Sequence, residues 1–195
     1  MVACVAGSFP ATQGFDRLRL GRQCTATAGH ARTLADALDL DPDAACLAGL
    51  LLHTGKLLML MSEPEAIALA ERRALRPDAL IEPEMALMEC THAEVTAEPA
   101  QRWRFPQAMV EGLRAAADPM AARPFSKLGA ALRLASVISD AGQLGLPPVA
   151  TLMETLAERV QHLHLHLHPH LDLDWLAAHL LPCEMLTAGV DQMLH

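Results

Sequence analysis

Residues 46–61 read Cys-Leu-Ala-Gly-Leu-Leu-Leu-His-Thr-Gly-Lys-Leu-Leu-Met-Leu-Met. A helix needs about 20 unbroken apolar residues to cross a bilayer, and here His53, Thr54, Gly55 and Lys56 interrupt the run in its middle. The stretch therefore reads as a buried core helix. Asp41-Pro42-Asp43 opens it, with Asp41 as N-cap and Pro42 at the first helical position, where no amide donor is needed. Gly55 loosens or ends it. A polar break inside a core marks a place for a site, because a buried imidazole beside a lysine must be paired, neutral or functional.

Composition bounds the rest. A chain of 195 residues suits one domain, or one with an appendage, and can bury a sizeable core. Hydrophobic residues make up 52% and aromatic ones only 3%, with no Tyr, so the core is Leu, Ala, Val and Met and the composition is helical. A net charge of -8 argues against a nucleic-acid binder, which needs a basic face, and disfavours acidic partners. The five cysteines, Cys4, Cys24, Cys46, Cys90 and Cys183, form no C-x-x-C pair and are odd in number. They read as reduced, buried thiols of a cytoplasmic protein. Met1 to Phe9 is apolar but lacks a basic n-region, which argues against a signal peptide.

Along the chain, the pattern predicts an all-α bundle in three parts: an N-terminal arm over 1–21, a helical domain over 22–147, and a C-terminal helical extension over 148–195. Helices are expected from Arg22 to Leu38, through the central stretch, and from a Ser62-Glu63-Pro64-Glu65 capping box to about Arg73. Further helices are expected from Glu84 to Arg102 with a kink at Pro99, from Phe105-Pro106 to about Ala117, and from Ser126 to Asp140. Pro147-Pro148 marks the internal boundary. An amphipathic helix from about Val149 and a last helical region from Asp172 follow it. The tract His162-Leu163-His164-Leu165-His166-Leu167-His168 alternates like a strand. Yet Leu152, Leu156, Val160, Leu163 and Leu167 trace one helical face, and the helix is the better reading. Its i,i+4 pairs, His162 with His166 and His164 with His168, could pinch an adventitious divalent ion. No carboxylate or cysteine joins them at ligand spacing.

At the central helix a family resemblance emerges. Asp41 to Lys56 resembles the segment that carries the His-Asp pair in the HD superfamily, and more narrowly in the HDOD family (HD-related output domain). A second block, Thr91-His92-Ala93-Glu94-Val95, then Arg102-Trp103-Arg104-Phe105-Pro106, Met109-Val110-Glu111 and Asp118-Pro119, is similar to that family's His-Ala-Glu-Val, Trp-x-x-Pro and Asp-Pro succession. The resemblance spans about Arg22 to Gly145 and implies an HD-like helical bundle.

In catalytic HD enzymes a His, a His-Asp pair and a later Asp converge on a divalent metal that activates water. Carried onto this chain, the His-Asp pair falls on Leu52-His53, and a leucine cannot ligate. The earlier ligand falls on Gln23 rather than His30. The histidines that many relatives carry before Asp-Pro fall on Ala116-Ala117, and the late Asp is Asp140, in ambiguous register with Ser136. The resemblance thus implies a site that has lost its ligands, with no metal or other cofactor expected.

His53 is expected to bond a backbone carbonyl or Asp140, His92 to fix a turn or cap a helix, and Trp103 to anchor packing between helices or to serve an interaction. Lys56 is expected to snorkel outward or, with Arg22 and Arg114, to meet a phosphate in a pocket; His30 is expected at the surface or on a helix face, with no partner that the sequence identifies. The implied function is a non-catalytic bacterial signal-transduction module with a protein partner. The alternative is a divergent metal-dependent phosphohydrolase acting on nucleotides or cyclic dinucleotides. In HDOD proteins another helical half usually precedes the HD-like half, and here only about twenty residues precede the first matched helix. The face so left open is expected to be covered by the extension after Pro148 or shared with a second copy, and a homodimer is expected, with Leu171, Leu173, Trp175, Leu176, Leu180 and Leu181 as a further candidate face.

Overall fold

The computed structural model of the chain describes residues 15–155 and 172–190. The His/Leu tract with His162, His164, His166 and His168, and the stripe positions Leu156, Val160, Leu163, Leu167 and Leu171, lie outside the described residues. Every regular element among the described residues is a helix. In chain order these are α1 (Arg17–Ala37), α2 (Pro42–Leu52), α3 (Gly55–Ser62), α4 (Pro64–Arg73), α5 (Ile81–Met88) and α6 (His92–Arg102). They continue with α7 (Gln107–Ala115), α8 (Lys127–Gln143), α9 (Pro148–Thr155), α10 (Leu173–His179) and α11 (Cys183–Thr187).

The bundle is built on α1 and α8, which pack against each other; α2 lies against α1, while α7 and α9 flank α8. Helix α8 is buried almost all round, from Gly129 through Leu132, Leu134, Val137 and Ile138 to Ala141. A helix apolar on every side belongs at the centre of a bundle. Small residues set the spacing. A Cβ on Gly49 would stand 2.9 Å from the Ala28 Cα and from the Thr27 carbonyl oxygen, so α1 and α2 touch backbone to backbone there.

Several boundaries differ from the sequence expectation, each for a local reason. Helix α1 begins at Arg17, five residues before the expected start, because the Asp16 carboxylate accepts from the Arg19 amide at 3.0 Å and caps it. The central stretch is two helices rather than one. The anticipated Ser62–Glu65 capping box does not form: Ser62 closes α3 and Glu63 occupies the N-cap of α4 without a side-chain bond. The box forms instead at Thr91 and Glu94, where the threonine hydroxyl accepts from the Glu94 amide at 3.2 Å and the Glu94 carboxylate accepts from the Thr91 amide at 2.9 Å. That box splits the expected 84–102 helix into α5 and α6, with Glu89 left-handed at φ 56° between them.

Beyond Pro147-Pro148 the chain returns to the same core. Leu152 of α9 and Leu176 of α10 are fully buried in the main apolar cluster with Leu34, Leu113 and Ile138, and Trp175 and Leu180 pack against it. Trp175, Leu176 and Leu180 of the face suggested for the extension are therefore turned inward, while Leu181 is exposed.

His30 is buried, not at the surface. Its Nε2 lies 3.4 Å from the Cys183 Sγ of α11, which approaches α8 so closely that a Cβ on Gly142 would meet that sulfur at 2.0 Å. Burial lowers the His30 pKa to about 4 from 6.5. The unfolded chain takes up a proton below pH 6.5 that the folded chain refuses until about pH 4. Stability is therefore fully present above pH 6.5 and is lost as pH falls through that window, by about 3 kcal/mol at 1.4 kcal/mol per pH unit. Chemical denaturation between pH 7 and pH 4 should show this decline, and His30→Gln should lessen it, leaving the share that buried His53 contributes. An undiminished slope in the variant would reject the assignment.

Candidate functional site

Helix α1 places Gln23, Thr27 and His30 on one buried face, at spacings that put side chains one above another. This face looks onto α8 and onto the break between α2 and α3. The break is held by hydrogen bonds that replace the interrupted helical ladder. Thr54 Oγ1 donates to the Leu51 carbonyl at 2.7 Å, and the Gly55 amide donates to Thr96 Oγ1 of α6 at 2.8 Å. Thr96 Oγ1 in turn lies 2.8 Å from the carbonyls of both Leu52 and His92 and shares its single proton between them. Glycine is required at position 55, since a Cβ there would stand 2.1 Å from the His92 carbonyl oxygen.

The turn aims Lys56 into the protein. It is the largest fully buried side chain among the described residues, so it does not snorkel. Its Nζ donates to Gln23 Oε1 at 2.8 Å and to Glu71 Oε1 at 2.9 Å, and Gln23 Nε2 donates to Asp140 Oδ1 at 2.6 Å. The Asp78 amide reaches Asp140 Oδ2 at 3.4 Å, while the Asp78 carboxylate pairs with the buried Arg133 guanidinium. Of Asp140 and Ser136, Asp140 is the α8 side chain that Gln23 reaches. Burial alone would push the Lys56 pKa down, but the joint attraction of Glu71, Glu84 and Asp140 outweighs it and holds the ammonium above its ordinary range. Glu71 is likewise held below the usual carboxylate range, because Lys56 and Arg19 overcome the burial that would raise it. For Asp140 burial wins, and its pKa is raised despite Lys56.

His53 is buried beside this network. Its Nε2 lies 3.1 Å from Thr27 Oγ1, so its partner is neither a carbonyl nor Asp140; the close crossing of α1 and α2 at Gly49 brings the Thr27 hydroxyl there first. Burial, then the positive field of Lys56, His92 and Arg133, keeps its pKa well below the ordinary value, so the ring is neutral. Among the described residues His53 Nδ1 has no partner. A bare lone pair costs less there than an unpaired N–H, so the proton belongs on Nε2, donated to Thr27. His92 stacks on His53 with centroids 5.0 Å apart. It opens α6, giving Glu84 both its backbone N–H, at 3.1 Å, and its Nδ1, at 2.8 Å. Glu84 is wholly buried and is compensated by these contacts.

Gln23, His53, Lys56, His92 and Asp140 therefore gather in one polar interior, whereas Leu52 is core and Trp103 and Arg114 lie elsewhere. Arg114 pairs with Glu98 at the surface. Trp103 is 70% exposed and anchors no packing, because the chain reverses just after it and sends Phe105 into the core instead. Thr27, Glu71, Asp78, Glu84, Thr96 and Arg133 complete the site without having been singled out from sequence. A buried lysine demands an anion, but the chain has 23 acidic residues and spacing alone cannot choose Glu71 among them.

An HD-type metal does not fit this donor set. Both ends of the Gln23 amide are engaged, the Leu52 carbonyl accepts from Thr96, and an ammonium occupies the middle of the network. No three His, Cys, Asp or Glu side chains converge as metal ligands among the described residues.

The comparisons with known proteins bear on family and fold. The HDOD domain family matches residues 1–119, which include Gln23, Leu52, His53, Lys56, His92 and Trp103; Asp140 lies beyond the match. A solved protein of Shewanella amazonensis SB2B, named "Putative phosphohydrolase", is 25% identical over 100% of this chain and 70% of its own, with a TM-score of 0.74. An HDOD domain protein of unknown function from Geobacter sulfurreducens aligns at a TM-score of 0.61 and 18% identity, over 93% of this chain and 65% of its own. The MmoQ response regulator of Methylococcus capsulatus str. Bath aligns at 0.53 and 22% identity, over 74% of this chain and 58% of its own. The chain thus spans less than two thirds of the last two, and these likenesses speak to fold. No curated protein matches it significantly. From the family match over more than half of its length, together with the HD-like helical fold, the chain belongs to the HDOD family.

Proposed function

We propose that this HDOD domain is a non-catalytic output module of bacterial signal transduction, cytoplasmic, that works by binding a protein partner. One observation carries the reading: the Lys56 ammonium is locked between Gln23 and Glu71 in the polar interior where an HD enzyme would gather metal ligands. A site built to activate water needs lone pairs converging on a cation, and this one is built to satisfy a buried cation of its own.

The surface supports the partner-binding half of the reading. Arg102, Trp103 and Arg104 are all exposed at the end of α6. The Phe105 amide bonds the Ala100 carbonyl at 3.0 Å and the Arg104 amide bonds that of Gln101 at 3.1 Å, with Arg104 left-handed at φ 60°. These are the two bonds of a Schellman turn, so the backbone presenting the side chains is already ordered. Exposed Trp and Arg on a rigid support are the residue types that dominate interface energetics.

The competing reading, a divergent phosphohydrolase, draws on the name of the Shewanella neighbour. Assays on nucleotides and cyclic dinucleotides supplemented with Mg²⁺, Mn²⁺ or Zn²⁺ distinguish the two. The non-catalytic reading expects no turnover above a heat-killed control. Turnover abolished by His53→Ala would overturn it in favour of the hydrolase.

A further inference from the structure

The chain leaves α4 toward α5 through Arg72-Arg73-Ala74-Leu75-Arg76. Both ends of this segment are tied to the polar interior. Glu71, just before it, holds the Lys56 ammonium at 2.9 Å, and Asp78, just after it, gives its amide to Asp140 and pairs with Arg133. Within it the Ala74 amide bonds the Ala70 carbonyl at 3.0 Å, and Ala74 and Pro77 are buried. The backbone is thus fixed while Arg72, Arg73, Leu75 and Arg76 stand exposed, Leu75 at 81%. Arg72 and Arg73 complement the carboxyl end of α4, a duty that leaves Leu75 unexplained. Among the described residues no carboxylate pairs with Arg72 or Arg73.

Beside the segment lies a cleft of about 280 Å³, walled by Arg19, Leu20, Arg72 and Leu75, with the buried ends of Gln23 and Glu71 beneath. The two carboxylates that border it are engaged: Glu71 by Lys56, with Arg19 at 3.8 Å, and Asp16 by the Arg19 amide at 3.0 Å. What remains uncommitted is the Arg72 guanidinium and an apolar wall. Arg76 turns instead to the neighbouring cleft that holds Asp78 and Glu82, and takes no part.

We propose that this cleft and its rim of Arg72, Arg73 and Leu75 bind an acidic peptide segment of the protein partner, with one glutamate side chain entering against Arg72 and a neighbouring apolar residue covering Leu75. The inference rests on the partner-binding reading above and names the chemistry that the partner carries. A guanidinium receives a carboxylate on two parallel N–H bonds. The cleft is at the small end for a free small molecule, and it suits one side chain whose methylene stem lies on Leu20 and Leu75. A carboxylate also brings a single charge, whereas a phosphate would set nearly two beside Asp16 and Glu71. The net charge of -8 does not oppose this contact, because at physiological salt charges beyond about 8 Å are screened. The fixed backbone lowers the ordering entropy that binding would otherwise cost.

Fluorescence polarisation on the full chain at physiological salt tests this, with a fluorescein-labelled Glu-Leu-Glu-Glu-Leu-Glu peptide as probe. Saturable binding is expected, lost when every Glu of the probe is replaced by Gln. Arg72→Glu should weaken it at least about tenfold with unchanged helical circular dichroism, and Leu75→Ser, which alters no charge, should weaken it several-fold. Lys127→Glu, the same charge change at an exposed residue outside the cleft, should leave it unaltered. Absence of saturable binding, or equal binding of the Gln peptide, overturns the proposal. Equal losses in Arg72→Glu and Lys127→Glu overturn it in favour of diffuse charge attraction. Anionic phosphatidylserine vesicles that bind where the peptide does not, with binding lost in Arg72→Glu, would give the rim to a lipid surface instead. Failure of the peptide leaves the non-catalytic reading standing, since that reading falls only on turnover.

Discussion

Replacing Lys56 by Met is expected to cost about 3 kcal/mol of stability, read as a fall in the urea midpoint at unchanged m-value. The methionine fills similar space, so packing changes little. What changes is the company of Glu71 and Gln23. Glu71 loses its 2.9 Å partner with only 15% of its side chain exposed, and the Gln23 carbonyl oxygen loses its donor. Removing one member of a buried ion pair typically costs about 3–5 kcal/mol, because a charge is left behind uncompensated. The residual exposure of Glu71, and its 3.8 Å neighbour Arg19, place the expected cost at the lower end of that range. Adding Glu71→Gln to the Lys56→Met chain should restore a large part of the loss, since it removes the stranded charge. A single-variant cost under about 1 kcal/mol would mean that Lys56 reaches solvent after all.

Gly55→Ala is expected to be at least as damaging, at about 3 kcal/mol, the upper part of the range for overpacking. The added methyl group would meet the His92 carbonyl oxygen at 2.1 Å and the Thr96 hydroxyl at 2.7 Å. Backbone cannot swing aside as a flexible side chain can, so α3 and α6 must separate. That separation breaks the Thr96 bridge across the α2–α3 turn and tilts Lys56 away from Gln23. Gly189→Ala is the matched control: nothing lies within 4 Å of its added carbon, and it should stay within about 0.5 kcal/mol of wild type. Equal effects in the two variants would refute the contact.

How much of this was legible in the sequence depends on the kind of interaction. The helices and their chain order follow from apolar periodicity, and Asp41-Pro42 announces the start of α2 because its cap is local: the Asp41 carboxylate accepts from the Asp43 amide at 2.9 Å. The same local reasoning fails where two signals compete. Ser62 and Glu65 spell a capping box, but the helix that begins there starts with Pro64, and Ser62 is already spent closing α3. The resemblance singled out Gln23, His53 and Asp140, and the structure brings these three into one polar interior. The non-local contacts that decide its chemistry were not legible. Lys56 reads as a snorkelling lysine until Glu71 and Gln23, 15 and 33 residues away, are seen to receive it. His30 reads as a surface histidine until α11 folds back over it from 153 residues away. Trp103 shows the opposite error: a scarce tryptophan in an apolar chain suggests packing, but the left-handed turn at Arg104 gives the core to Phe105.

The central claim is that the HD position has exchanged a metal for a lysine. Equilibrium dialysis against Mn²⁺ and Zn²⁺ tests it most directly, on a variant in which His162, His164, His166 and His168 are changed to Gln so that the histidine tract contributes nothing. The account predicts no stoichiometric metal retained by that protein. Retention of one equivalent, lost again on His53→Ala or Asp140→Asn, would contradict it.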